Sequence, residues 1–75
     1  MNVEHYDKFR MVGLNIAYYR KLRGLSQLQL AEKIDTSRTH MSRIETAECG
    51  ISLDLLFNIS EALDISPDMF LKMTK

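Results

Sequence analysis

The stretch that decides how this chain is read is Gly24–Glu45, "GLSQLQLAEKIDTSRTHMSRIE". Ser26, followed three residues later by Gln29, is an S-x-x-Q capping box: two orphan N–H groups at a helix start are satisfied reciprocally. Leu30, Ala31 and Ile34 then give that helix its inward face. Past Asp35 and Thr36, Ser37 is a good N-cap for a second helix. In this helix Met41 and Ile44 are the apolar residues, three apart, and Arg38, Thr39, His40, Ser42 and Arg43 cover the rest. A chain of 75 residues is short of core. A helix that buries so little within it therefore needs a reason outside the core.

The spacing supplies one. Counted from Gln27, a helix-turn-helix unit needs a small residue at its fifth place, where the two helices cross, and Ala31 stands there. The ninth place is the turn, where a positive φ is common, and Asp35 holds it. The fifteenth and eighteenth places anchor the second helix to the first, and they are Met41 and Ile44. In such a unit the outer face of the second helix is free to enter a DNA major groove.

Outward from this unit the period stays helical. Phe9, Val12, Ile16 and Tyr19 form one stripe of a first helix over Asp7–Arg23, closed by Gly24. A loop from Thr46 to Ile51 leads to a fourth helix capped by Ser52, with Leu53, Leu56, Ile59, Ala62 and Leu63 as its buried set. Ser66-Pro67-Asp68 predicts a short fifth helix carrying Phe70 and Leu71. No alternating β-branched run or hairpin turn interrupts this pattern. The expectation is an all-α, compact five-helix bundle. It forms one domain over 1–75, with its core at about 7–73 and the helix-turn-helix at about 26–46.

Ten Lys and Arg balance ten Asp and Glu, so the net charge is +0, but the charges are segregated. Arg20–Arg43 holds six bases against two acids, net +4, and Ile44–Lys75 holds two bases against six acids, net −4. A dipolar chain of this kind can offer a basic face to an anionic partner while its overall field stays weak. The single cysteine, Cys49, excludes an intramolecular disulfide. With no basic-then-apolar leader after Met1 and no apolar run long enough to span a bilayer, a cytoplasmic location and no membrane partner are expected. His5, His40 and Cys49 stand at no metal-ligand spacing. Ser42, His40 and Asp35 have no pocket or oxyanion hole for a catalytic triad. No enzyme, cofactor, metal or small-molecule ligand is expected.

The run "GLSQLQLAEKI", followed by "TSRTHMSRIE" and "SLDLLFNISEALDIS", resembles the helix-turn-helix family of phage repressors and Cro, from about Val12 to Leu71. The resemblance implies that Gln27 donates to a DNA phosphate. It implies that Arg38, Thr39 and Arg43 face base edges, with Ser37 and His40 flanking them. It also implies that Arg20 pairs with Glu45, tying the first helix to the end of the reading helix. The chemistry agrees: an arginine forks onto guanine O6 and N7, and a threonine methyl packs on a thymine methyl.

Several positions depart from the family pattern. Asp35, Ala47 and Asp64 stand where glycine is common, and Ala47 predicts a changed loop path. Glu48 replaces a basic residue and Ile51 a proline, which together predict few phosphate contacts and a shallow salt dependence. Met11, Leu14, Tyr18 and Leu22 form a second apolar stripe on the first helix, and Met69 and Met73 an i,i+4 pair on the fifth. A helix apolar on two sides must bury both. Met69, Met73, Leu22 and Tyr18 are therefore the expected interface of a homodimer. The function expected is a sequence-specific DNA-binding regulator, in all a repressor that binds double-stranded DNA at a two-fold symmetric operator. The competing reading is a protein-interaction module that keeps the fold, favoured by Glu48 and the acidic C-terminal half.

Overall fold

The four α-helices among the described residues end by the same device. α1 (Tyr6–Leu22), α2 (Gln27–Lys33), α3 (Arg38–Glu45) and α4 (Leu53–Leu63) are each followed by a residue in the left-handed region: Gly24, Asp35, Ala47 and Asp64, at φ 74°, 56°, 61° and 54°. At each end two N–H groups turn back to orphan carbonyls. After α1, Gly24 donates to Lys21 at 2.9 Å and Leu25 to Arg20 at 3.1 Å; after α3, Ala47 donates to Ile44 at 3.2 Å and Glu48 to Arg43 at 2.8 Å. This is the Schellman arrangement, in which glycine avoids the Cβ clash of the left-handed region. Ala47 thus keeps the path a glycine would take, and the changed loop path expected there is not found. Its side chain is only 2% exposed, so burial of the methyl offsets the strain.

The computed structural model describes residues 3–73, and none of these residues forms a strand. Helix starts match the sequence signals. Ser26 and Gln29 form the complete capping box, Ser37 accepts from the His40 N–H, and Ser52 accepts from the Leu55 N–H. The expected fifth helix is instead a 3-10 turn, Pro67–Leu71, and another 3-10 turn, Val3–His5, precedes α1. Among the described residues the bundle therefore has four α-helices, not five. Five residues are too few to repay α-helix nucleation. The Asn15 amide also takes the Phe70 and Lys72 carbonyls at 2.9 and 2.7 Å, fixing the chain as it leaves the turn.

The core joins Val12, Ile16 and Tyr19 of α1 to Leu30 and Ala31 of α2 and to Met41 and Ile44 of α3. Leu56, Ile59 and Leu63 of α4 and Phe70 complete it. Leu53, expected inside, is 66% exposed. The buried line through 63, 59 and 56 runs back to the N-cap Ser52, so Leu53 falls to one side of it. Leu71 also faces out.

Gly13 sets how closely α1 and α3 approach. A Cβ there would lie 2.5 Å from the Glu45 carbonyl oxygen and 2.7 Å from that of Ile44, backbone atoms that cannot move aside.

Three outcomes follow for stability measured by urea denaturation. Gly13→Ala should destabilise by about 1–3 kcal/mol through overpacking. Asp64→Gly, at an exposed left-handed site, should stabilise by about 0.5–1 kcal/mol. Ala47→Gly should gain less than Asp64→Gly, because it forfeits a buried methyl worth about 0.8 kcal/mol. The reverse ranking would contradict the burial of Ala47.

Candidate nucleic-acid interface

α3 is held from three sides while one face stays in solvent. Its N-terminus is set by the Ser37 hydroxyl, 3.0 Å from the His40 N–H. Its middle is pinned by Met41 and Ile44, both buried. Its C-terminus is tied by Glu45, whose carboxylate accepts a fork from Arg20: Nε to Oε2 at 2.7 Å and Nη2 to Oε1 at 3.1 Å. The pair is buried, and the third arm of the guanidinium, Nη1, donates to the Leu25 carbonyl at 2.7 Å. Arg20 therefore fastens α1, the turn before α2 and the end of α3 at one point.

Ser37, Arg38, Thr39, His40 and Arg43 are all exposed, and Gln27 is half-buried beside them. Gln27 does more than its position suggested. Its Nε2 donates to Glu45 Oε1 at 3.0 Å, which fixes the amide with its oxygen outward, and that oxygen accepts from Arg38 Nη1 at 3.4 Å. The buried pair thus connects through Gln27 to the first residue of the exposed face. Only one Gln27 N–H is used in this way, so the other can still meet an anion.

Thr36 has no role in any motif of the sequence. Its hydroxyl lies 2.9 Å from His40 Nδ1, which orients the imidazole with Nε2 free; the i,i+4 spacing of the two residues was the available signal. Arg23, counted among the basic residues of the segment, turns the other way. It donates to the Leu63 and Asp64 carbonyls at 2.7 and 3.0 Å and so caps the C-terminus of α4. Glu48 accepts from the Thr46 hydroxyl at 2.8 Å, so its carboxylate is held by the end of α3. Cys49 is half-buried against the core.

Among the described residues no group of three His, Cys, Asp or Glu side chains gathers to hold a metal. No helix among them is long and apolar enough to cross a membrane. What α3 offers is a fork donor at Arg38, a methyl and hydroxyl at Thr39, an imidazole at His40 and a second guanidinium one turn on at Arg43. Together these can read the edges of stacked bases in a groove the width of a helix.

The chain belongs to the helix-turn-helix family, whose model matches residues 16–70. An uncharacterized HTH-type transcriptional regulator of Rickettsia conorii is 38% identical over 68 residues, covering 91% of this chain and 53% of the relative. The HTH-type transcriptional regulator SinR of Bacillus subtilis is 37% identical over 57 residues, 75% of this chain and 51% of SinR. The chain spans about half the length of the curated relatives it matches. Among solved structures, the restriction-modification controller protein C.AhdI of Aeromonas hydrophila superposes with a TM-score of 0.85 at 28% identity, over 89% of this chain and 97% of that one. SinR in complex with DNA superposes with a TM-score of 0.75 at 34% identity, over 81% and 98%. The P22 c2 repressor bound to a synthetic operator does so at 0.75 and 30%, over 84% and 96%.

Arg20→Ala or Glu45→Ala should each lower unfolding stability by about 3–5 kcal/mol, because the partner is left charged and buried. The double variant should lose clearly less than the sum of the two, which a double-mutant cycle measures. Additive losses would mean that the pair is not coupled.

Proposed function

We propose that this chain is a sequence-specific DNA-binding transcriptional regulator, acting in the cytoplasm as a repressor that occludes a promoter. In this reading it binds as a homodimer, with one α3 in each of two half-sites about 34–36 Å apart on one side of the duplex. The observation that carries the reading is α3 itself: an eight-residue helix whose two apolar side chains are buried while Arg38, Thr39, His40 and Arg43 face solvent together. Membership of the family and the DNA-bound states of SinR and the P22 c2 repressor support it.

Each residue has a role in this reading. Arg38, aimed by Gln27, and Arg43 would fork onto guanines. Thr39 would pack its methyl on thymine. His40 and Ser37 would meet flanking phosphate or outer bases, and the free N–H of Gln27 a phosphate. Of the six bases from Arg20 to Arg43, Arg20 and Arg23 are bonded within the protein. Four exposed ones are left, Lys21, Lys33, Arg38 and Arg43. Few counterions would then be released on binding, and affinity should depend weakly on salt.

Selection from a random DNA pool should return a two-fold symmetric consensus; no enrichment at low salt would overturn the reading. Arg38→Ala together with Thr39→Ala should abolish specific retention. Arg43→Ala should cost about 1–3 kcal/mol and relax discrimination at one base pair. The slope of log affinity against log salt should be shallower than about −7, the limit for four exposed cations on each of two copies.

A further inference from the structure

α1 buries one side and leaves a continuous apolar line on another. Gly13 and Arg20 meet α3, and Val12, Ile16 and Tyr19 enter the core. Leu14, Tyr18 and Leu22, successive i,i+4 neighbours, are 51%, 54% and 59% exposed. Met11 is half-buried beside Leu14, and Met73, 81% exposed, lies over the same surface with Asp7, Arg10, Met11 and Leu14. Met69, expected to join Met73 at an interface, is half-buried and packed against the core. The exposed line therefore follows α1 rather than the Met69–Met73 pair.

Two of the charges on this line, Asp7 and Lys21, have a symmetry, while Arg10 falls opposite Tyr18 of a copy laid antiparallel about Leu14. Asp7 stands seven residues before Leu14 and Lys21 seven after it, and both are exposed. Residues seven apart lie almost along one line of a helix, drifting by about 20° per step. A second α1 laid antiparallel, with the two Leu14 side chains facing each other, sets Asp7 of each copy opposite Lys21 of the other, twice. A parallel pairing sets Asp7 on Asp7 and Lys21 on Lys21, which like charges oppose. Met11 and Tyr18, one on either side of Leu14, fill the space between the charged pairs. The line is thus complementary to itself reversed, which is the requirement of a two-fold interface.

We propose that the occupant of this face is a second copy of the chain, packed α1 against α1 in antiparallel register about Leu14, with Asp7 and Lys21 pairing across the axis. The proposal deepens the homodimer reading above and rests on it. The face lies on α1 away from the contacts that Gly13 and Arg20 make with α3, so pairing here leaves both copies of α3 uncovered.

Sedimentation equilibrium of the full chain without DNA, from one to about a hundred micromolar, tests the interface alone. The expected result is a monomer–dimer equilibrium. Leu14→Glu should abolish it with no loss of helical CD signal or thermal transition, since Leu14 is exposed. Asp7→Lys and Lys21→Asp should each weaken dimerisation by roughly tenfold, as two like-charge contacts replace two ion pairs. The double swap, Asp7→Lys with Lys21→Asp, should restore it to near the parental value. A chain that is monomeric throughout, or a dimer indifferent to Leu14→Glu, would overturn the proposal. So would a swap no better than the single reversals. Binding of Leu14→Glu to a duplex carrying one selected half-site separates this from the DNA reading. A monomeric variant that still binds the half-site, but has lost cooperative binding to the palindrome, supports both. If the parental protein dimerises as described and binds no DNA, the DNA reading alone fails.

Discussion

The buried fork between Arg20 and Glu45 is the constraint on which the placement of α3 depends. A charged pair withdrawn from water is tolerable only when its remaining donors and acceptors are satisfied. Here they are met by Leu25 on the Arg20 side and by Gln27 on the Glu45 side. Those two contacts fix the entry to α2 and the side chain at its start. The fork closes because Gly13 lets the backbone of α3 come against α1 at Glu45, where a methyl group would collide with two carbonyl oxygens. One glycine and one ion pair thus set the height and tilt of α3, and Met41 and Ile44 hold what they set. The solvent face of the helix is left out of all three tasks.

Much of this was legible in the sequence where the cause is local. The capping box at Ser26 and the N-caps at Ser37 and Ser52 depend on residues three positions away, and each forms as expected. The buried stripes of α1, α2 and α3 followed from their period. Features decided by tertiary contact were harder to read. Whether Ala47 would reroute the loop or accept a left-handed conformation turned on how deeply its methyl is buried. Leu53 has the right type for a core but lies off a line whose next position back is the N-cap. The last segment has an N-terminal helix signal in Ser66-Pro67-Asp68, yet Asn15, 55 residues from Phe70, decides how it ends. Asn15, the uncharged one of the two polar residues buried in α1, carries no periodic signal.

At the candidate site, the exposed face of α3 was legible as residue types at places where a core gains nothing from them. Its internal wiring was not. The resemblance gives Gln27 a phosphate alone, and its bond to Glu45 forms only once α2 and α3 are packed. That bond changes what Arg38 is: a guanidinium with one arm already held, which loses less freedom on forking than a free one. Thr36 does the same for His40.

These assignments also account for the neutral total charge. The basic segment from Arg20 to Arg43 has two kinds of cation. Arg20 and Arg23 are bonded inside the protein, to Glu45 and to the end of α4, and Lys21, Lys33, Arg38 and Arg43 are exposed. The acids of the C-terminal half include Glu45, which is internal, and Glu48, tied to Thr46. For a regulator built in this way the attraction to any phosphate backbone is small, and non-specific binding, which that attraction supplies, is weak. On the proposed reading, the free energy gained at the right site comes from base edges met by Arg38, Thr39 and Arg43, and a mismatch there removes a large share of it. In a dimer each half-site contributes only a few such contacts, so useful affinity requires both reading helices to engage together. On the readings proposed above, a neutral chain with a dimer face on α1 gives up general attraction to DNA in favour of selectivity between sites.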